Sequence, residues 1–425
     1  RKELSETEAW AQLYPDTAWN KIKFRKMKAA LVRLFLEFLG TDRLQEDRPR
    51  LGQARLEALN ALNEERFFIA NFMEVRDALL SQTPRPEDWM EKSTAIALEQ
   101  YRYQIRQPER RPQVSLQGVL NDFERNYATR KMQLAYFALN HIQIMGQNIE
   151  MLDIDLHLSR VEEWAPQLPP ESRLYLLLYR INSVENRQDE YEALRAELPQ
   201  ADLPSETAYD LYTGLLNYCA RRLNAGQQPM RGEIWSIYNE MLSSGILLQE
   251  GKILAAHLKN IVSVGARLQQ FEATSALIET YGQRIFGDFA ENAQQYNHGI
   301  LYYHMGRHED ATRCLHNTLY DYEDLFYGLD ARIYLLRIYF ETEDLRSLDS
   351  LCDAFRMFLK RNKALPRARK AAYQQFIRQL RRLAHIPGFD AQRLDKLRDE
   401  IVNGRRISAT AWLYEQVLKR FNARV

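Results

Sequence analysis

Apolar residues recur at helical spacing along almost the whole chain, and this periodicity constrains the fold more than any other feature. In residues 18–40, for example, Met27, Leu31, Leu34 and Phe38 fall on one helical face. No series of alternating segments is bounded by the Asn-Gly or Asp-Gly turns of hairpins. Only 17 glycines and 14 prolines are present in 425 residues to interrupt helices. The pattern therefore predicts an all-α protein.

Local signals give the bounds of individual helices. Ser5 and Glu8 have the spacing of a capping box, which predicts a helix start. Gly40 follows the last apolar turn of residues 18–40, which predicts a helix end. Further helices are predicted at about 50–63, 64–82, 87–107, 114–145, 171–184, 188–198, 206–224, 230–244, 250–266, 270–284, 289–305, 308–319, 328–341, 345–361, 366–385, 390–403 and 407–423.

One stretch has the composition of a linker. The sequence "RQPERRPQ" (106–113) is rich in proline and charge, and a residue before proline disfavours helical geometry. We therefore predict a helical N-terminal region at 1–112, a helical repeat array at 113–386 and C-terminal capping helices at 387–425.

Charge and cysteine content exclude some classes of protein. Lys and Arg total 58 against 57 Asp and Glu, and this balance argues against a chain that binds nucleic acid or membrane surfaces over its whole length. Three widely spaced cysteines form neither a disulfide framework nor a zinc pattern, which favours a reducing cytoplasm. The most apolar run, 29–40, contains Arg33 and Glu37 and is too short and charged to cross a bilayer. A cytoplasmic protein without membrane contact is predicted.

A repeat of 37 residues is visible in the second half of the chain. The stretch "YYHMGRHEDATRCL" (302–315) aligns with "YFETEDLRSLDSLC" 37 residues later and with "GARLQQFEATSALI" 37 residues earlier. Each copy has the pattern of a helix, a tight turn and a second helix. One such pair cannot bury its apolar faces alone, so neighbouring pairs are expected to stack.

Residues 296–319 resemble a tetratricopeptide repeat. That family has a small residue in its first helix, an aromatic residue three positions later, a glycine in the turn and an alanine in its second helix. Gly299, Tyr302, Gly306 and Ala311 stand at those spacings. Residues 232–251 are similar to the second helix of the pentatricopeptide variant. The resemblance implies an α-solenoid of stacked antiparallel helix pairs, wound as a right-handed superhelix.

The resemblance also implies a partner-binding surface. In tetratricopeptide arrays the first helix of each pair lines a concave face that binds peptides. The corresponding positions here are Ala293, Tyr296, Ile300, Tyr303 and His304. They are mostly apolar and aromatic and lack the Lys, Asn and Arg set that holds a peptide carboxylate. An apolar or helical segment is therefore the expected partner.

No catalytic residue, metal or cofactor is predicted. His304 and His308 would suit zinc on a continuous helix, but Gly306 between them predicts a turn that separates the two rings. A glycine-rich phosphate loop, an HExxH motif and a G-x-S-x-G motif are all missing from the sequence. An enzyme is therefore a less favoured interpretation than a binding protein.

Two basic stretches with interleaved aromatic residues, 21–28 and 360–382, indicate an alternative function. Arginine and lysine next to stacking aromatics can hold single-stranded nucleic acid. Alternatively, both stretches are solvated helix faces whose aromatic side chains point into the core. We therefore favour a non-enzymatic protein–protein interaction scaffold, with an RNA- or DNA-binding helical repeat protein as the alternative. The candidate nucleic-acid patch consists of Arg367, Arg369, Lys370, Arg378, Arg381 and Arg382.

Overall fold

The structure is a computed structural model, and it is almost entirely helical. In the part of the chain that it describes, 81% of residues are helical and the only sheet has two strands, which confirms the all-α prediction. Within the same residues, no helix is long and apolar enough to cross a lipid bilayer. The described residues are 4–86, 88–106, 116–145, 149–183, 187–287, 290–318, 325–363, 365–387, 390–404 and 409–422.

The chain divides into two compact units, Arg1–Leu215 (unit 1) and Leu216–Val425 (unit 2). The division falls inside the helix Ser205–Asn224. The sequence did not predict it. The predicted boundary between residues 112 and 113 lies outside the described residues.

Unit 1 contains nine complete helices among its described residues, and the tenth begins there. Within it α3, α4 and α5 pack on one another, α5 contacts α6, and α6 packs on α7 and α8. The helices are α1 (Glu6–Leu13), α2 (Lys21–Glu46), α3 (Arg48–Leu62), α4 (Glu65–Leu80), α5 (Trp89–Gln104), α6 (Leu116–Met145), α7 (Ile154–Trp164), α8 (Pro170–Ser183), α9 (Gln188–Glu197) and α10 (Ser205–Asn224).

Two features of α2 differ from the sequence prediction. Gly40 does not end the helix, which continues to Glu46, and Asp47 then caps the next helix by accepting a hydrogen bond from Arg50 N–H. The face that carries Leu31, Leu34 and Phe38 is exposed, whereas Phe24 is buried beside Trp10 at the start of the helix. Helical periodicity identified the helix, but it did not reveal that unit 1 leaves this face uncovered.

Other local predictions had mixed outcomes. The capping box of Ser5 and Glu8 is present at α1. Helix α7 was not predicted. The helix predicted to begin at 250 is preceded by a short hairpin, in which Glu250 and Gly251 both have positive φ, as a tight two-residue turn requires.

Unit 2 consists of helix pairs that contact one another in chain order. Its elements after α10 are α11 (Met230–Ser243), β1 (Leu248–Gln249), β2 (Lys252–Ile253), α12 (Ala255–Arg267), α13 (Phe271–Tyr281), α14 (Ala290–His304), α15 (His308–Thr318), α16 (Leu325–Glu341), α17 (Leu345–Arg361), α18 (Arg367–His385), α19 (Ala391–Val402) and α20 (Thr410–Asn422). Each of α12, α14 and α16 packs on the second helix of its own pair, and α14 also packs on α12 and α16.

The 37-residue repeat is visible in the turns of these three pairs. Gln269, Gly306 and Glu343 are 37 residues apart (306 − 269 = 343 − 306), and all have positive φ, at 60°, 76° and 57°. In the middle turn, Arg307 N–H donates to Tyr302 C=O at 2.9 Å and Gly306 N–H donates to Tyr303 C=O at 3.0 Å. The same two bonds recur 37 residues before and after, so each first helix ends in a Schellman motif. The predicted turn at Gly306 is therefore confirmed.

The second helices repeat as well. Thr274, Ala311 and Leu348 occupy equivalent positions on α13, α15 and α17, and all three are fully buried. Opposite α15, Gly299 lets the two helix axes approach closely, since a Cβ atom at this position would lie 2.7 Å from Leu315 Cγ.

The C-terminal half of unit 2 has its own apolar core. It is formed by α16 to α20, with Phe355, Leu380 and Leu397 completely buried. On α20, Leu413 and Val417 are completely buried, whereas the neighbouring Leu418 is exposed.

Candidate functional site

The predicted partner-binding residues lie together on α14, but most of them are buried. Ala293 and Ile300 are at most 1% exposed, Tyr296 is 3% exposed and Tyr303 is 9% exposed. Only His304 is partly accessible. In this structure the first four therefore do not form an open surface.

Packing of α16 against α14 explains their burial. The ring of Tyr296 meets Tyr327 edge-on at 4.7 Å, and the ring of Tyr303 meets Tyr334 edge-on at 5.1 Å. The tyrosines thus join two helices. Replacing all three large residues, Tyr296, Ile300 and Tyr303, with alanine would be expected to damage the core of unit 2.

The accessible polar side chains near α14 come from the C-terminal ends of α12, α14 and α16, the first helices of the three repeated pairs. Arg267, His304 and Glu341 are the last residues of α12, α14 and α16 and are 37 residues apart (304 − 267 = 341 − 304). The three Schellman turns end these helices at equivalent positions of the 37-residue repeat. Arg267 is exposed, His304 is partly exposed and Glu341 is exposed.

Two arginines act on the buried phenol of Tyr334. Burial by itself would raise the pKa of Tyr334, but the charges of Arg267 and Arg337 and a hydrogen bond with Arg267 outweigh it and hold the pKa below its usual value. The same contact with Tyr334 raises the pKa of the Arg267 guanidinium. The lowered pKa of Tyr334 indicates a positive potential at this end of α16.

The pKa of His304 responds to the same arginine charges. Burial, reinforced by the charges of Arg267, Arg337 and Arg231, lowers the pKa of His304 to about 3. The imidazole is therefore neutral at physiological pH. Its Nε2 atom is buried and makes no hydrogen bond.

Arg337 lies between aromatic rings. Its guanidinium carbon is 4.9 Å from the ring centroid of Tyr334 and 5.2 Å from that of Trp412. Next to it, Glu341 Oε1 accepts hydrogen bonds from the Tyr303 hydroxyl and from Trp412 Nε1, both at 2.8 Å. The carboxylate of Glu341 is thus occupied by neutral donors and not by a guanidinium group.

Arg231, Arg267 and Arg337 together form what we call the arginine cluster. Desolvation, with the charge of Arg267, lowers the pKa of Arg231, and Glu415 opposes this shift. The Nε atoms of Arg231 and Arg337 are buried without a hydrogen-bond partner. Within the described residues, none of the three has a carboxylate within 4 Å. The cluster is therefore a place where an anionic group would be strongly attracted.

The two histidines proposed as an alternative metal pair end up in different helices. His304 ends α14 and His308 begins α15, with the turn between them, as the sequence predicted. Both rings lie beside Tyr303, with centroids 5.0 and 6.0 Å away. In the described ranges no three His, Cys, Asp or Glu side chains are grouped so as to hold a metal ion.

The basic stretches are partly neutralised. Arg381 contacts Asp349 at 2.7 Å and Asp353 at 2.9 Å, and Arg382 pairs with Glu400. Arg367, Arg369 and Arg378 are exposed and Lys370 is partly exposed. The interleaved Phe376 is buried, as is Phe24 in the first stretch, so neither offers a face for base stacking.

Sequence reasoning missed the arginine cluster. The signal was present for Arg267, since the 37-residue register places it exactly one repeat before His304. Arg231 and Arg337 lie at other positions of their helices, so only the packing of α11, α12 and α16 reveals that their charges act together on His304.

Comparison of the chain with protein-family models, with curated proteins and with solved structures finds no match.

Proposed function

We propose that this chain is a non-enzymatic scaffold that binds an acidic segment of another protein on unit 2, at the ends of α12, α14 and α16. The observation that supports the proposal is the arginine cluster. Two of its guanidinium groups are half-buried or buried, and burial of a charge without an ionic partner is unfavourable. A carboxylate from a partner would supply the missing charge.

The proposed architecture is a tetratricopeptide-like α-solenoid, a right-handed superhelix whose first helices line the concave face. Three consecutive pairs with the same Schellman turn, 37 residues apart, support it. In such an array the arginine cluster lies on the concave face. We place the protein in the cytoplasm, where the free cysteines Cys219, Cys314 and Cys352 would stay reduced.

The alternative is a nucleic-acid-binding repeat protein that uses the stretches at 21–28 and 360–382. The ion pairs of Arg381 and Arg382 and the burial of Phe376 favour the protein partner, because they remove phosphate contacts and a stacking surface. The candidate patch on α18 remains the place to test this alternative.

Site-specific photo-crosslinking tests the proposal. A photoreactive phenylalanine replaces Asn260, which is exposed on α12 two turns before Arg267 and on the same side of the helix. The matched control carries it at Arg346, which is exposed on the second helix α17. Irradiation of intact cells, followed by nuclease treatment, shows whether the adduct is protein or nucleic acid.

A nuclease-resistant protein adduct from position 260, absent from position 346, is the expected result. The double variant Arg231→Glu, Arg267→Glu should reduce this adduct at least about tenfold, since each lost charge contact contributes about 1.4 kcal/mol or more. Equal adducts at both positions would contradict the proposed surface. A nuclease-sensitive adduct would favour the nucleic-acid alternative.

A further inference from the structure

Helix α2 carries an apolar face that unit 1 leaves uncovered over its central turns. Seven apolar side chains on it are each 44–65% exposed, and we call them the α2 face: Leu31, Val32, Leu34, Phe35, Leu36, Phe38 and Leu39. At about 100° per residue they cover roughly 200° of the helix circumference. Arg33 and Glu37, which pair at 3.8 Å, lie on the opposite side. The helix is therefore amphipathic, and its apolar side faces solvent.

The α2 face begins where α1 stops covering the helix. Phe24, two turns before Leu31, is buried against the ring of Trp10, and the Tyr14 hydroxyl donates to Met27 Sδ at 3.6 Å. Beyond these contacts the α2 face exposes an area on the order of 600 Å². This area is at the upper end of the range of about 300–600 Å² for the largest apolar patch of a monomer.

The α2 face has the same residue pattern in both directions from Phe35. In the stretch "LVRLFLEFL" (31–39), apolar residues stand at equal distances before and after Phe35, and the two charged residues between them have opposite signs. Farther out, Lys28 lies seven residues before Phe35 and Asp42 seven residues after it, and both are exposed. Seven residues are about two helical turns, so these opposite charges border the two ends of the α2 face.

This pattern makes the α2 face complementary to itself. If two copies of α2 pack antiparallel about a two-fold axis at Phe35, residues equally far before and after Phe35 face each other. Leu31 then meets Leu39 of the other copy, and Lys28 meets Asp42 of the other copy. A parallel pair would instead bring Lys28 against Lys28 and Asp42 against Asp42.

We propose that this chain forms a homodimer through the α2 face, with the two α2 helices antiparallel about Phe35 and Lys28 of each copy paired with Asp42 of the other. The apolar area and its charged border approach the roughly 800 Å² that each partner buries in an interface of standard size. Lys28 Nζ also lies 3.5 Å from Glu6 Oε1 of its own chain, and both side chains are at least half exposed, so the ammonium group can contact a second carboxylate. This interface belongs to unit 1 and does not depend on the function proposed for unit 2.

The charges that border the α2 face disfavour a lipid surface in place of a second copy. A helix that lies on an anionic membrane is rich in Lys and Arg on its polar face. In α2 the basic residues are concentrated at 21–28, before the α2 face, whereas Asp42 and Glu46 follow it on the same side of the helix. Burial of the α2 face in lipid would bring these two carboxylates against anionic head groups.

Sedimentation equilibrium of the full chain tests the dimer. Phe35→Glu places two like charges at the two-fold axis. The matched control is Leu156→Glu, because Leu156 is 58% exposed on α7 and Phe35 is 56% exposed. The charge variants are Lys28→Glu, Asp42→Lys and the double variant that combines them. Circular dichroism checks the helical content of each variant, and the charge variants decide the question if Phe35→Glu does not fold.

The unchanged chain is expected to have twice the monomer mass, with a dimer Kd of about 10 μM or tighter. Phe35→Glu should weaken dimerisation at least about a hundredfold, since both copies lose a central contact. Leu156→Glu should leave the Kd unchanged.

The charge variants test the antiparallel arrangement. Lys28→Glu and Asp42→Lys should each weaken dimerisation about tenfold, because each brings two pairs of like charges together. The double variant should restore the dimer, and so should an equimolar mixture of the two single variants, because opposite charges then meet again at both ends.

Several outcomes would overturn the proposal. A monomer mass at concentrations up to about 100 μM would exclude the dimer. A monomer that cosediments with vesicles of phosphatidylserine and phosphatidylcholine would assign the α2 face to a lipid surface. Unchanged dimerisation in Phe35→Glu would place the interface elsewhere. Single charge variants without effect, or a double variant as weak as the single ones, would contradict the antiparallel pairing.

Discussion

The close approach of α14 and α15 can be tested with a single methyl group. Gly299 is buried on α14, and a Cβ atom at this position would lie 2.7 Å from Leu315 Cγ, 2.9 Å from Leu315 Cδ2 and 3.4 Å from Cys314 Cβ. Real Cβ atoms do not tolerate contacts below 3.0 Å. Leu315 is fully buried and has little room to move, so Gly299→Ala must either strain its side chain or separate the helices.

Two opposing effects set the magnitude. Alanine in a helix is better than glycine by about 0.5–1 kcal/mol, because it loses less backbone freedom on folding. Overpacking of a buried contact costs about 1–3 kcal/mol. We expect a net loss of about 1–2 kcal/mol in the free energy of unfolding, which for a unit of this size lowers Tm by roughly 2–8 °C.

The assay is urea unfolding followed by circular dichroism, with Gly232→Ala as the matched control. Gly232 lies in α11 of the same unit, and nothing is within 4 Å of the position of its added Cβ atom. Gly232→Ala should leave stability unchanged or raise it by up to about 1 kcal/mol. A second variant, Leu315→Ala, should cost about 2–5 kcal/mol alone and less when combined with Gly299→Ala, since the new methyl group then has space.

The reasoning would be refuted if Gly299→Ala were as stable as the unchanged protein while Gly232→Ala behaved as expected. An additive double variant would equally contradict it. Either result would mean that the two helices are not in contact at this glycine.

Three further predictions concern packing and titration. Ala311→Phe should destabilise unit 2 by about 1–3 kcal/mol in urea unfolding, because Ala311 is fully buried between helices, and an unchanged midpoint would contradict the repeat register. With a folded pKa of about 3 for His304, against 6.5 when unperturbed, the unfolded state binds more protons between these values. The free energy of unfolding should therefore fall as pH decreases through 6.5. Between pH 7 and pH 5 the unchanged protein should lose about 2 kcal/mol relative to His304→Gln, and parallel pH profiles of the two proteins would contradict the lowered pKa of His304. For Glu171 the pH dependence of stability is opposite, because burial raises the pKa of its carboxyl group and the folded state holds the extra proton. Stability should fall as pH rises above 4.5, so Glu171→Gln should melt higher than the unchanged protein at pH 8 but not at pH 4.

Most of the fold could be predicted because helices are determined locally. Apolar spacing and the sparse glycines and prolines identified nearly all described helices, and the spacing of Ser5 and Glu8 identified the start of α1. The glycine at position 306 predicted a turn, and its positive φ and hydrogen bonds confirm that turn. The errors arose where local signals were misleading, as at Gly40, where the helix continues to Glu46.

The candidate sites depended on long-range packing. Sequence comparison placed Tyr296 and Tyr303 on a binding surface, but it could not show that α16 covers them. It also could not show that Arg231 and Arg337 act with Arg267, because side chains from three helices meet only after the pairs have stacked.

By itself, then, the sequence determined the all-α class, the helix pairs and the 37-residue register, since backbone hydrogen bonds and apolar periodicity act over a few residues. The tertiary structure decided which faces are buried, where the two units divide and which charges lack a partner. Burial and electrostatic potential depend on residues far apart in the chain, and no local pattern contains that information.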